Sequence, residues 1–309
     1  MTRYDHVLDK SHGQTSFDRS IAPVLTITPG TGETIAMQTD GELFVQLHER
    51  GSLEAVTAPI NPVTGPIYVD GAEPGDALRV TIHDIVLGDH GWSVYLPGAG
   101  ALTERMGDEL FSRKITLTND AALLTESITA ELRPMIGCIG TAPAGEPGST
   151  VMPSFGSGGN MDLTDASPGS IVYLPVEVPG GLLSLGDIHA VMARAESSFV
   201  AIEAEGTAVI SIDLVKGANL RAPRVETESE WCFIGIGDPV QDSIKRGYED
   251  CFDFLLEAGY SREDAYVVMS ALVHSELGGP TGSKTPDPLH PFTAIGAVTV
   301  HRLPKELVD

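Results

Sequence analysis

The sequence predicts a mainly β protein, with sheets of the sandwich or barrel type and an α/β portion carrying a C-terminal helical hairpin. Three observations lead there. Short runs rich in β-branched residues recur through the first two thirds of the 309 residues. The 34 Gly and 21 Pro are spread between those runs as turn punctuation instead of being gathered in one linker. Beyond residue 240 the apolar spacing changes from every second residue to every third or fourth.

Taken in order, VLTITPG, ETIAMQT, ALRVTIHDIV, KITLTN, SIVYLPVEV and AVISIDLV each read as a strand. In the third, Leu78, Val80 and Ile82 alternate with Arg79, Thr81 and His83, which makes it a half-buried strand. A Pro-Gly turn opens a strand three times, at Pro29, Pro74 and Pro168; a duplicated unit and shared turn chemistry both account for this. Ile244, Tyr248, Cys251, Phe252 and Leu255 mark the apolar stripe of a helix. Gly259 suits its C-terminal cap, and Ser261 with Asp264 forms a capping box that opens a second helix through AYVVMSALV. After Pro291, FTAIGAVTVHRL returns to strand. The organisation expected is a mainly β region over 1–225 and a helical hairpin with a final strand over 226–309, the boundary soft and both parts packed on one body.

Composition narrows the functional classes. With 19 Lys and Arg against 43 Asp and Glu, the formal charge is −24, which opposes approach to phosphate backbones and anionic lipid. Nucleic acid and membrane surfaces are therefore not expected partners. Cys138, Cys232 and Cys251 lie far apart with no CxxC pair, which argues against a disulfide framework or a zinc knot and fits a reducing, cytoplasmic setting. The N-terminal MTRYDHVLDKSHGQT has no apolar run behind its charges, so no targeting signal is expected, and no stretch has the length of a membrane span.

Familiar catalytic signatures are missing: there is no GxSxG, HExxH or P-loop, and SFGSGGNMD is a glycine stretch without a dinucleotide-binding context. The informative stretch runs from Gly158 to Glu203. Asn160 and Asp162 follow a glycine turn, Asp187 and His189 stand two apart, and Glu196 and Glu203 follow. In an extended segment a spacing of two puts Asp187 and His189 on one face, where one ion can meet both. The same residues also read as a turn cap, a hydrogen-bonded core histidine and solvent-facing glutamates. Cys138 is the best-placed thiol for a nucleophilic alternative, although a cysteine in an apolar strand is usually inert. Trp92 in GWSVYLPG is a candidate for lining a substrate pocket, or for core packing.

APINPVTGPIYVDGAEPGDALRV, HGWSVYLPGAGALTE, GCIGTAPAGE, GSGGNMDL, SIVYLPVEVPGGLLSLGDIHA and AIEAEGTAVISIDLVKG resemble, in order and spacing, successive blocks of the acetamidase/formamidase family. GGNMD followed by SLGDIHA and AIE is the specific part. The resemblance implies hydrolysis of a short carboxamide, of the formamide or acetamide kind, to carboxylate and ammonia by a homo-oligomer, a dimer or tetramer. It places Asn160 and Asp162 in the GGNxD block, Asp187 and His189 in the GDxHA block, and Glu196 as the acid that follows. The expected roles are Asp187 and His189 on a divalent metal ion, zinc or calcium, Asp162 or Glu196 as general base, and Asn160 holding the substrate amide. From Val191 to Ala195 the chain departs from the family pattern, with Arg194 in place of an acid. Arg194 is thus a candidate for binding a carboxylate on a larger substrate, or for pairing with a glutamate at the surface. A non-catalytic β module stabilised by calcium is the competing class.

Overall fold

The structure is a computed structural model that describes residues 4–99, 102–196, 198–279 and 297–308. It is mainly β, and all six runs singled out above carry a strand. The described strands form two large sheets and one two-stranded ribbon. A nine-stranded sheet runs in the order His6–Leu8, Ile35–Gln38, Gly206–Val215, Ala77–Leu87, Ile171–Pro175, Arg224–Glu226, Glu230–Gly237, Ala297–Pro304, His274–Leu277. An eleven-stranded sheet has Leu183–Val191 at its centre, flanked by Met135–Gly140, Ile202–Ala204 and Val63–Val69.

The alternation read in ALRVTIHDIV is what the strand buries. Leu78, Val80 and Ile82 are wholly enclosed, whereas Arg79 and Thr81 are half-buried and His83 is exposed. Those three side chains join Ile67, Ile136, Leu185 and Ile234 in one apolar core that takes residues from both large sheets. Burial of this order, at ~25 cal/mol per Å² of apolar surface, is the main force pressing the layers together. Gly30, Gly75 and Gly169 follow the three Pro-Gly prolines with φ of 75°, 94° and 91°. Left-handed backbone of this kind favours glycine, so turn chemistry is sufficient reason for the recurrence.

Four α-helices are present among the described residues: α1 (Glu42–Arg50), α2 (Thr103–Met106), α3 (Val240–Glu257) and α4 (Arg262–Leu272). The last two form the hairpin. Gly259, at φ 98°, turns the chain after α3, and the Ser261 hydroxyl accepts the Asp264 N–H at 3.0 Å to cap α4. The stripe that α3 buries is rotated from the one expected: Ser243, Gly247, Asp250, Cys251 and Leu255 face inward, and Tyr248 is exposed. The reason is close packing. A side chain at Gly247 would strike the His301 ring 2.0 Å away, so α3 approaches the Glu230–Gly237 and Ala297–Pro304 strands through its small residues. The first residues of the expected last strand, before Ala297, lie outside the described residues. No described helix is long and apolar enough to cross a membrane.

Candidate active site

The central sheet brings the chemistry together by strand pairing. In the Leu183–Val191 strand, His189 stands opposite Met135 on one neighbour and opposite Glu203 on the other. Asp162 enters from the turn after Gly158–Asn160, whose strand pairs with Met135–Gly140. Glu196 sits on the connection between His189 and Glu203. Asp162, His189, Glu196 and Glu203 are buried, and Asp187 is nearly so.

Around the imidazole the distances are short. His189 Nε2 is 3.4 Å from Asp187 Oδ1, 3.4 Å from Glu203 Oε2 and 3.8 Å from Asp162 Oδ1. The spacing of two thus does place Asp187 and His189 together, although Asp187 interrupts the regular strand with φ of 58°. Two residue triads, Asp162–His189–Glu196 and Asp187–His189–Glu203, each offer ligand atoms within 4.8 Å of one another.

A second layer holds these groups in place. Asn160 Nδ2 donates to Asp162 Oδ2 at 2.9 Å, and Asn160 Oδ1 accepts from Asn61 Nδ2 at 3.1 Å. Asn61 Nδ2 also donates to the Thr150 carbonyl at 2.7 Å and lies 3.3 Å from Asp187 Oδ2. The Glu203 carboxylate accepts the Ala201 N–H at 3.0 Å. Asn61, Asp162, Asp187, Glu196 and Phe199, all lining one cavity, have left-handed backbone, which non-glycine residues adopt at a cost of about 1–3 kcal/mol each. Strain of this kind survives only where the surroundings over-determine it, which marks the cavity wall as a built site.

Electrostatics give the same picture. Four carboxylates crowd one imidazole away from water, so burial, then the Asp187 charge, raises Asp162 well above the carboxylate range. Glu196 is raised well for the same reasons, burial first and Asp162 next, and Glu203 is pushed up to about 7 by burial. The surrounding carboxylates raise His189 well above the usual imidazole range: burial opposes the charge, but Glu203 and Asp187 outweigh it. Asp162 Oδ1 and His189 Nδ1 have no hydrogen-bond partner although both are buried. His189 Nε2, with Asp187 Oδ1 and Glu203 Oε2 each 3.4 Å away, offers the nitrogen-and-carboxylate donor set that a divalent cation takes, and the residues therefore fit one.

Asn160, Asp162, Asp187, His189 and Glu196 are brought to one place, and all five line a cavity of about 340 Å³. Arg194 and Trp92 are not. Arg194 donates to Glu276 and approaches Asp165 at 3.8 Å, within a cluster completed by the buried Arg302. Trp92 is buried, with its ring 4.9 Å from that of His48 and 5.2 Å from that of His90, and it is not among the cavity residues. Two polar lining residues stood outside the five. Glu203 lies within the AIE block, and its opposition to His189 in the sheet is what makes it a site residue; Asn61 belongs to the APINP block, which offered no acid or imidazole to draw attention to it. The Cys138 thiol is buried, and burial followed by the Asp187 and Asp162 charges raises it well above its usual value, which suppresses the thiolate a nucleophile needs.

The model of the Acetamidase/Formamidase family matches residues 6–147 and 144–281. An acetamidase of Mycolicibacterium smegmatis is 25% identical over 83% of this chain and 84% of its own. A formamidase of Methylophilus methylotrophus is 25% identical over 71% and 73%. The crystal structure of an acetamidase from Bacillus halodurans superposes with a TM-score of 0.86 at 28% identity, covering 97% of each chain. Ordered motifs, shared fold and a matching family model lead to one conclusion: the chain belongs to the acetamidase/formamidase family of amidohydrolases.

Proposed function

We propose that this protein hydrolyses a carboxamide to carboxylate and ammonia with a divalent cation held by Asp187, His189 and Glu203. The observation that carries the reading is the buried cluster of four carboxylates about His189, with Asp187 Oδ1 and Glu203 Oε2 each 3.4 Å from its Nε2. Such a density of buried charge is costly unless it is protonated or paired with a cation. A bound cation supplies a Lewis acid for the amide oxygen and lowers the pKa of water towards 7. His189 among the donors favours zinc or another transition ion over calcium.

The remaining tasks fall to this chain's own residues. An amide resists attack because resonance feeds electron density into its carbonyl, and its nitrogen must gain a proton to leave. Glu196, at the cavity wall and close to the same imidazole, takes the proton of the attacking water and returns it to the departing nitrogen. Asp162 helps to orient that water. Asn160 uses both ends of its carboxamide within the protein, so its contribution is to fix the Asp162 carboxylate rather than to grip the substrate.

The test is ammonia release from primary amides by protein as purified, after chelation, and after adding back zinc, calcium and manganese singly, with metal content measured in each sample. Release lost on chelation and restored by one ion is the expected result. Undiminished release from protein shown to be free of metal would refute cation dependence, and metal bound without release from any amide would favour the calcium-stabilised binding module.

A further inference from the structure

The cavity has two chemically distinct ends. Its polar groups are those already described, and every other lining residue among the described ones is apolar. Leu43 and Leu47 come from α1, Val94 from the His90–Tyr95 strand, Met152 from the loop before Gly158–Asn160, and Phe199 and Val200 from the connection after Glu196. These elements are far apart in sequence, so the apolar wall is assembled by the fold and is not a side effect of one hydrophobic run. At the rim, Leu53, Ile60 and Val151 are 45%, 48% and 36% exposed, which makes the mouth apolar as well.

Size and charge then select the ligand. At about 340 Å³ the cavity has room for roughly ten groups the size of a water molecule, at ~30 Å³ each. A formamide or acetamide head would occupy only the polar end and leave the rest to water against apolar walls. No Lys or Arg lines the cavity among the described residues, and Arg194, the one cation on the loop that carries Glu196, is engaged by Glu276 and Asp165. An anionic substituent lying along the apolar end would lose its water there with no basic side chain among the described lining residues to pair with it.

We propose that the substrate of this site is an uncharged primary carboxamide with an apolar acyl chain of about four to seven carbons, a size suited to the lower end of ligand cavities. The carboxamide meets the His189 cluster and the acyl chain lies against Leu47, Val94 and Val200. Water adds to the carbonyl carbon, the C–N bond breaks, and the nitrogen leaves as ammonia with the proton that water gave up. This substrate class rests on the amide-hydrolase reading above.

The experiment is kcat/KM for ammonia release by the metal-supplemented protein along formamide, acetamide, butanamide and hexanamide, with succinamate as the charged counterpart of butanamide. Each methylene should raise kcat/KM roughly fourfold, the equivalent of the ~0.8 kcal/mol gained by burying one CH₂. Hexanamide should therefore exceed acetamide by about two hundredfold, and succinamate should fall at least tenfold below butanamide. Val94→Phe, which fills the apolar end, should lower the hexanamide-to-acetamide ratio at least tenfold. Val151→Asp, at the exposed mouth where folding is little affected, should lower it in the same sense. A kcat/KM that is flat or falls from acetamide to hexanamide overturns the substrate class and leaves amide hydrolysis standing. Silence on every amide overturns the hydrolase reading itself, and the substrate class with it.

Discussion

Gly137 tests how closely the carboxylate cluster is fitted. It lies in the Met135–Gly140 strand, directly beneath the site, and a Cβ at this position would stand 2.6 Å from Asp162 Oδ1, 2.6 Å from Asp187 Oδ2 and 2.9 Å from the Asp187 carbonyl oxygen. Moving either carboxylate oxygen from 2.6 Å to the 3.4 Å at which ordinary contact begins is a displacement of about 0.8 Å. The carbonyl contact means that the backbone at Asp187 must shift as well, so the change cannot be absorbed by side-chain rotation alone. Misplacement near 1 Å costs about 10²-fold in rate, and overpacking of this type costs about 1–3 kcal/mol of stability. Gly137→Ala should therefore remain folded, with kcat/KM for amide hydrolysis down by about 100-fold and cation affinity down by about 10–100-fold. The assay is ammonia release at saturating ion, with metal titration and thermal melting on the same samples. Gly145→Ala, where a Cβ meets nothing within 4 Å, is the matched control. A Gly137→Ala protein within threefold of wild type in both kcat/KM and metal affinity would refute the geometry on which the site is built.

Three further outcomes follow from the structure. Arg224 forms a two-pronged pair with Asp250, at 2.9 and 2.8 Å, with its guanidinium 5.2 Å from the ring centroids of both Phe233 and Phe254; Asp250→Ala strands that cation and should cost about 3–5 kcal/mol in urea unfolding, a loss below 1 kcal/mol contradicting the account. His301 is wholly enclosed between hydroxyl partners on Ser275 and Thr299, and burial pulls its pKa down from 6.5 to about 4. The unfolded chain takes up this proton first, so the stability His301 contributes is complete above pH 6.5 and is lost as pH falls towards 4, by about 3 kcal/mol in all. Urea midpoints of wild type and His301→Asn at pH 7 and pH 4.5 should show a steeper acid loss in wild type, and parallel losses would sink the assignment. Arg194→Ala removes a pair whose arginine is 47% exposed, so stability should change by less than about 1 kcal/mol. Because Arg194 anchors the turn that bears Glu196, kcat/KM should nevertheless fall about tenfold, with Arg194→Lys recovering part of the loss; unchanged kinetics in Arg194→Ala would show that the anchor is dispensable.

The sequence by itself determined the strands, the helical hairpin and the neighbourhood of the site. Leu78, Val80 and Ile82 carry a period of two within five residues, and Ser261 caps α4 through a group only three residues away. These are local signals, written where they act. GGNMD and GDIHA likewise state their chemistry within a few residues, and their side chains meet in one cavity. What only the tertiary structure decided is which charges face one another. Glu203 became part of the site because the sheet register sets it opposite His189, and Asn61 because its amide reaches Asn160 and Asp187 across 99 and 126 residues of chain. The same cause turned Arg194 aside: Glu276, 82 residues further on, claims the guanidinium that spacing alone left beside Glu196. Trp92 shares a pair position with Glu203, yet its ring packs on two histidines, since the space beside a strand is filled by whatever neighbouring elements supply. Protonation in the cluster is a collective property of four carboxylates and one imidazole brought out of water together, and no pattern along the chain encodes a sum over groups that meet only when the sheets have paired.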